Sequence, residues 1–192
     1  TRIGQNHSMK IGIYGGSFNP IHFGHIGLAQ WVIAHTDLDE VWLMVSPNNP
    51  LKDSSILEDE QVRLQKAKEA IAQLPSSTPY TLHPTPTCAE RIIVSDFEFN
   101  LPRPSYTANT LRALAKAYPQ HEFTLMIGED NLAIFPKWRE YQYILDNYRI
   151  FIYPRRGCAP YQLPKGKDLQ VLKNAPYFDI SSTEIRQQDK KK

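Results

Sequence analysis

The sequence predicts an α/β protein with a doubly wound, mainly parallel sheet and helices on both faces. Short apolar segments alternate with helical segments of ten or more residues, the order expected of repeated strand–helix units. Glycines and prolines end most of these segments. Ligands bind such sheets beyond the carboxyl ends of the strands, so the loops after strands are the candidate functional segments.

Periodicity predicts each element in order. Continuous or alternating apolar runs predict strands at 10–14, 41–45, 91–99, 122–127, 148–153 and 177–180. Helical patterns cover 25–35, 58–74 and 106–118, and a helix in pieces, broken at Pro136, covers 129–146. Four prolines make 74–87 a loop with at most one short edge strand. A capping-box pattern at 181–184 opens a final helix.

Composition limits the classes of function. The chain has 192 residues, 41% hydrophobic and 22% charged, which fits one folded domain. Its formal net charge of +2 is too small to indicate a general nucleic-acid surface. No apolar run reaches the roughly 18 residues that span a bilayer, so we expect no membrane segment. Cys88 and Cys158 lack metal-site spacing, and we expect two free thiols in the cytoplasm, although a disulfide between them stays open.

The two ends of the chain differ from the rest. Residues 1–8 are polar and lack the apolar segment of a secretory signal, so we interpret them as an added remnant. We expect residues 9–192 to form a single domain. The terminal lysines 190–192 are most simply a solvated tail.

The loop after the first predicted strand carries the strongest chemical signal. Gly15 and Gly16 let the backbone approach a ligand closely, and the next helix presents its N-terminus, which favours anions. His22 and His25 are three residues apart and face the same way on a helical turn. Either histidine alone would be interpreted as a residue that forms hydrogen bonds to the backbone at the start of the helix. The pair in this setting indicates phosphate binding, with a transition-metal pair as the weaker alternative because no third ligand stands nearby.

Five motifs together resemble one family. Residues 15–25 resemble the T/HxGH signature of the nucleotidyltransferase superfamily, shared with class I aminoacyl-tRNA synthetases, and residues 180–186 resemble its ISSTxIR element. Residues 105–111 resemble SYTxDTL, and residues 127–138 resemble IGxD…FxxW. Residues 47–52 resemble the PxxPHK loop. By this resemblance the chain is identified as a member of the bacterial-type nicotinate-nucleotide adenylyltransferases, over about residues 10–187.

The resemblance implies a Rossmann-like nucleotidyltransferase domain that joins ATP and nicotinate mononucleotide into deamido-NAD and pyrophosphate. It implies Mg²⁺ carried by the ATP phosphates, no dedicated protein metal site, no nucleic-acid or membrane partner, and a homo-oligomer as an open alternative. The implied catalytic residues are His22, His25 and Arg186. The implied ATP-binding residues are Gly15, Gly16, Ser17, Phe18, Gly128, Asp130, Ser181, Ser182 and Thr183. The implied nicotinate mononucleotide-binding residues are Asn48, Lys52, Thr107, Trp138 and Arg155.

The sequence departs from the family pattern at four positions. Ser17 and Asn19 stand where the family usually has Thr and Asp, Asn109 replaces the Asp of SYTxDTL, and Leu51 replaces the His of PxxPHK. Serine keeps the hydroxyl, whereas the two asparagines keep hydrogen bonding but lose the charge.

Plainer interpretations and rival functions stay open. Trp138 could be core packing, Lys52 a solvated lysine, and Asp130 a helix N-terminal carboxylate. Arg155 and Arg156 follow a strand and could bind the phosphates of either substrate. Another adenylyl- or cytidylyltransferase, such as pantetheine-phosphate adenylyltransferase, is the nearest rival. A catalytically silent module that binds nucleotides or RNA is the second.

Overall fold

The computed structural model describes residues 7–48, 57–75 and 88–177. Within these ranges, six strands form one parallel sheet in the order β3-β2-β1-β4-β5-β6, and four α-helices connect them together with short 3-10 turns. The strands are β1 (Lys10–Gly16), β2 (Glu40–Val45), β3 (Ile92–Ser95), β4 (Glu122–Gly128), β5 (Arg149–Tyr153) and β6 (Asp168–Val171). The helices are α1 (Phe23–His35), α2 (Glu60–Ala72), α3 (Thr107–Ala117) and α4 (Tyr141–Asn147). This confirms the predicted doubly wound, parallel architecture.

Alternation along the strands builds a core on each face of the sheet. In β2, Trp42 and Met44 point into one apolar cluster, whereas Val41, Leu43 and Val45 point into the other. The first cluster is covered by apolar residues of α3 and α4, and the second by those of α1 and α2. Burial on both faces explains why these strands read as continuous apolar runs in the sequence.

One strand prediction was too long, and one strand was missed. The predicted strand 91–99 is strand only over Ile92–Ser95, because a 3-10 turn at Phe97–Asn100 carries the chain towards α3. Edge strand β6 was missed, since its residues are mostly half-buried or exposed and show no apolar run. Tyr177, predicted to begin a last strand, lies in no regular element.

The helix predictions are confirmed within two residues, with one correction. Helical pieces do occupy 129–146, but Pro136 lies inside the 3-10 turn Phe135–Lys137 and not at a break. Proline suits the first positions of a helical turn, where its missing N–H is not needed. The predicted edge strand within 74–87 and the final helix from 181 lie outside the described residues, apart from 74 and 75. Cys158 is a free cysteine.

Among the described helices, none has both the length and the hydrophobicity that crossing a lipid bilayer requires. The longest, α1 and α2, have 13 residues each.

Candidate active site

The strand order reverses between β1 and β4, and their carboxyl ends border a crevice. Two cavities lie there, of about 400 Å³ and 290 Å³. We call them the tryptophan cavity, which Trp138 lines, and the histidine cavity, which His22 and His25 line. Four residues line both cavities: Gly15, Gly16, Asn131 and Tyr153. The two cavities therefore form one continuous site at the position predicted from the fold class.

The two histidines begin α1 and contact each other. Their rings stack with centroids 3.7 Å apart and planes inclined by 26°. The Nδ1 of His22 accepts a hydrogen bond from the Gly24 N–H at 3.0 Å, and the Nδ1 of His25 accepts one from the His22 N–H at 3.2 Å. This reciprocal cap satisfies N–H groups that the first helical turn leaves without partners. The prediction that the pair faces one way is confirmed.

These caps also determine where each ring carries its proton. A nitrogen that accepts from a backbone N–H carries no hydrogen, so each neutral imidazole is protonated at Nε2. Burial, followed by the neighbouring His22 and by Arg155, lowers the pKa of His25 to about 3. At neutral pH, His25 is therefore an uncharged ring with an Nε2–H to donate.

The loop between β1 and α1 has space for a ligand. A Cβ built on Gly15 would meet no protein atom within 4 Å, which leaves its backbone open to the cavity. Phe18 has a positive φ of 47° and is only 2% exposed. Its ring packs edge-on against His25, with centroids 4.9 Å apart, and so supports that imidazole. The predicted ATP residues Ser17 and Phe18 both line the histidine cavity.

A residue that sequence reasoning missed holds the neighbouring loops. Arg63 in α2 is 0% exposed, and its guanidinium donates to the carbonyls of Ser17 at 2.6 Å, Ser46 at 2.9 Å and Glu58 at 2.9 Å. It also donates to Oδ1 of Asn48 at 2.8 Å. These bonds join the loops after β1 and β2 to the start of α2. The sequence did contain a signal for this role, because Arg63 is a basic residue that interrupts the apolar stripe of α2.

The tryptophan cavity contains two of the residues predicted for the pyridine nucleotide, Thr107 and Trp138. Trp138 packs edge-on against Phe135, with ring centroids 5.1 Å apart. Thr107 is the first residue of α3, whose N-cap residue Tyr106 supplies no side-chain cap. The first-turn N–H groups of α3 are thus suited to an anion. Glu98, Ser105 and Thr110 line the same cavity and were not predicted.

Other predicted residues line the histidine cavity or lie outside both cavities. Arg155 was assigned to nicotinate mononucleotide, whereas it lines the histidine cavity. Asp130 lines neither cavity, but its carboxylate lies 3.7 Å from Nε of Arg155. Gly128 also lines neither cavity, and a Cβ there would collide with the Asp130 carboxylate, which gives it a packing role. Asn131, which follows Asp130 in the chain, lines both cavities.

Asn48 lines neither cavity but is held next to the site. Its N–H donates to Glu60 at 2.8 Å, in addition to the bond from Arg63. Five other predicted residues lie outside the described residues: Lys52, Ser181, Ser182, Thr183 and Arg186. Their roles stay predictions.

The described ranges contain no group of three or more His, Cys, Asp or Glu side chains that could hold a metal ion. The histidine cavity offers imidazole donors and a guanidinium, which match the oxygen atoms of phosphates.

The crevice with its paired histidines, at the switch point of a parallel sheet, is an arrangement suited to binding a nucleotide. The sequence model of the cytidylyltransferase-like family matches residues 13–188, and the chain belongs to that family. Similar proteins narrow the family further. A Flavobacterium johnsoniae protein named "Probable nicotinate-nucleotide adenylyltransferase" is 44% identical over 93% of this chain and 85% of the relative. A Bacteroides fragilis protein of the same name is 43% identical over 93% of this chain and 81% of the relative.

Solved structures show the same fold. Plasmodium falciparum nicotinic acid mononucleotide adenylyltransferase complexed with NaAD has a TM-score of 0.70 at 18% identity, over 93% of this chain and 83% of that chain. The same protein complexed with APC has a TM-score of 0.69. The sequence relatives confirm the predicted family of nicotinate-nucleotide adenylyltransferases, and these structures confirm the Rossmann-like fold.

Proposed function

We propose that this protein transfers the adenylyl group of ATP to the 5′-phosphate of nicotinate mononucleotide, giving deamido-NAD and pyrophosphate. The observation that carries the proposal is the pair of joined cavities at the strand switch point, one lined by imidazoles and the other by Trp138 and Thr107. The family supports the same reaction, since the relatives bear its name.

The reaction needs little acid–base chemistry from the protein. An ionised oxygen of the mononucleotide phosphate forms a bond to the α-phosphorus of ATP, and the bond from that phosphorus to pyrophosphate breaks. The nucleophile is already an anion, so no base and no covalent intermediate is needed. Positioning and charge stabilisation then supply most of the acceleration.

In this proposal the histidine cavity binds the triphosphate. The Nε2–H groups of His22 and His25 donate to phosphate oxygens, and Arg155 adds a positive charge beside them. A bound triphosphate opposes the desolvation that keeps His25 neutral, so its pKa rises as charge builds up. ATP enters as its Mg²⁺ complex, and the ion belongs to the substrate. Ser181, Ser182, Thr183 and Arg186 complete this phosphate site by the family resemblance.

The tryptophan cavity binds the pyridine nucleotide in this proposal. Trp138 offers a flat face to the ring, and Thr107 with the first N–H groups of α3 receives the carboxylate. Asn48 and Lys52 are proposed to bind the mononucleotide phosphate. We further propose that the reaction takes place in the cytoplasm, on small-molecule substrates alone.

Pyrophosphate release with a panel of acceptors tests the activity. We expect turnover with nicotinate mononucleotide, less with nicotinamide mononucleotide and none with phosphopantetheine. Equal or better turnover with phosphopantetheine would overturn the proposal.

Variants of the histidines test the mechanism. His25→Asn keeps a polar atom near the position of Nδ1, and so the helix cap, but lacks Nε2. We expect about 100-fold lower kcat with little change in thermal stability. The control is His35→Ala in the same helix, whose exposed ring stacks on Trp31 far along α1. Full activity of His25→Asn, or an equal loss in both variants, would contradict the role of His25.

A further inference from the structure

The tryptophan cavity contains an acid that the proposed mechanism does not use. Glu98 lies in the 3-10 turn before α3, and its Oε1 accepts a hydrogen bond from Thr110 Oγ1 at 2.8 Å. Among described residues, the only other ionisable side chain lining this cavity is the phenol of Tyr153, whose own pKa is raised by burial. No described Lys or Arg forms an ion pair with Glu98.

A second polar group of this cavity lacks a partner. The Oγ of Ser105 is buried and, within the described chain, makes no hydrogen bond. A buried hydroxyl without a partner costs free energy, which a bound ligand with a complementary atom removes. Ser105 and Glu98 therefore offer two polar contacts to whatever fills the cavity beside Trp138.

The charge of Glu98 depends on pH in the neutral range. Burial raises its pKa to about 7, and the hydrogen bond from Thr110 acts in the opposite direction. The charged groups on neighbouring elements are exposed or paired elsewhere: Glu40, Asp96, Arg103, Arg112, Lys116 and Arg139. None of them contributes to the pKa shift of Glu98. The carboxyl thus exchanges between a form that donates one hydrogen bond and a form that only accepts.

We propose that Glu98 and Ser105 set the choice between the acid and the amide of the pyridine nucleotide, with Glu98 acting as the neutral acid when a carboxylate is bound. This inference rests on the proposed function, because it assumes that the pyridine ring lies beside Trp138. The neutral carboxyl and the hydroxyl donate to the nicotinate carboxylate. The ionised carboxyl repels that carboxylate and accepts from the NH₂ of a carboxamide instead.

The pH dependence of acceptor choice tests the proposal. We would measure kcat/KM for nicotinate and nicotinamide mononucleotides between pH 5.5 and 8.5. Their ratio cancels titrations that both reactions share, such as those of the 5′-phosphate, MgATP and the histidines. We expect the acid-to-amide ratio of the wild type to fall about tenfold or more from pH 6 to pH 8, as Glu98 ionises.

Glu98→Gln should make this ratio independent of pH. The control is Glu122→Gln, an exposed residue at the amino end of β4, which should keep the wild-type profile. Ser105→Ala should lower the ratio at every pH without lowering thermal stability. A flat wild-type ratio, or a Glu98→Gln profile that tracks the wild type, would overturn the inference.

Calorimetry on the wild type tests the same idea without any variant. With a nonhydrolysable ATP analogue bound, each mononucleotide is titrated at pH 7.5 in buffers of different ionisation enthalpy. We expect binding of the acid to take up more protons than binding of the amide, because the carboxylate favours the protonated form of Glu98. Equal uptake would overturn the inference alone. Failure of both nucleotides to accept an adenylyl group would overturn the proposed function as well.

Discussion

Replacing Arg63 by methionine should destabilise the fold more than any other single arginine substitution in the described chain. Methionine has a similar length but no donor. The substitution leaves three carbonyls, those of Ser17, Ser46 and Glu58, without their buried guanidinium partner. Each bond is between 2.6 Å and 2.9 Å long, and Arg63 is 0% exposed, so water cannot replace it without opening the structure.

The magnitude follows from these contacts. A buried acceptor that loses its partner costs about 1–3 kcal/mol, so three carbonyls could cost roughly 3–9 kcal/mol. Removing a buried charge returns part of its desolvation cost, which brings the expected loss to about 3–5 kcal/mol. Burial lowers the pKa of Arg63, with nearby acids opposing the shift, in agreement with this desolvation.

The test is to measure the free energy of unfolding of Arg63→Met in urea and to compare it with that of a control variant, Arg91→Met. Arg91 also donates to two carbonyls, those of Asp39 and Leu38, each at 2.7 Å, but it is only half-buried and lies at the amino end of the sheet. Because Arg91 itself is half-buried, water can take the place of its guanidinium, so we expect a loss of about 1 kcal/mol there. An Arg63→Met protein that is as stable as Arg91→Met would refute the reasoning about buried acceptors.

Three further substitutions have clear expected outcomes. Gly15→Ala should leave the melting temperature unchanged and lower kcat/KM for ATP, because its Cβ would project into the open cavity; a stable, fully active variant would contradict this. Gly128→Ala should cost about 1–3 kcal/mol in thermal unfolding, since its Cβ would lie 3.0 Å from the Tyr153 ring. A hydrogen bond from Arg149 is the largest cause that lowers the pKa of Asp37 to about 2. Asp37→Asn should therefore be less stable than the wild type above about pH 4, and the difference should shrink as the pH falls through about 2; a difference of undiminished size at pH 2 would exclude the charge as its cause.

Local patterns predicted the elements whose burial is uniform. Strands β1, β2, β4 and β5 lie inside the sheet with both faces covered, so their apolar runs are visible in the sequence. The edge strands β3 and β6 are less buried and have weaker apolar patterns. The sequence predicted β3 too long and did not predict β6. Edge strands owe their conformation to pairing with a neighbour that is distant along the chain.

The candidate site likewise contains residues that local sequence patterns predicted and residues that they did not. His22 and His25 are neighbours on one helical turn, so spacing alone predicted that they face the same way, as their stacked rings do. The sequence left open which part of the site Arg155 lines, because its position depends on how the loop after β5 meets the loop after β1. Glu98 was not singled out at all, since nothing in the sequence around it indicates burial beside a cavity.

Short-range order along the chain determined the strand–helix alternation, the histidine cap and the family motifs, because these depend on residues within a few positions of one another. Only the tertiary structure decided which cavity each side chain lines, which acceptors Arg63 joins and how far burial shifts the pKa of Glu98. Those properties depend on distances between segments that lie far apart in the sequence, and on how much water the packed chain excludes.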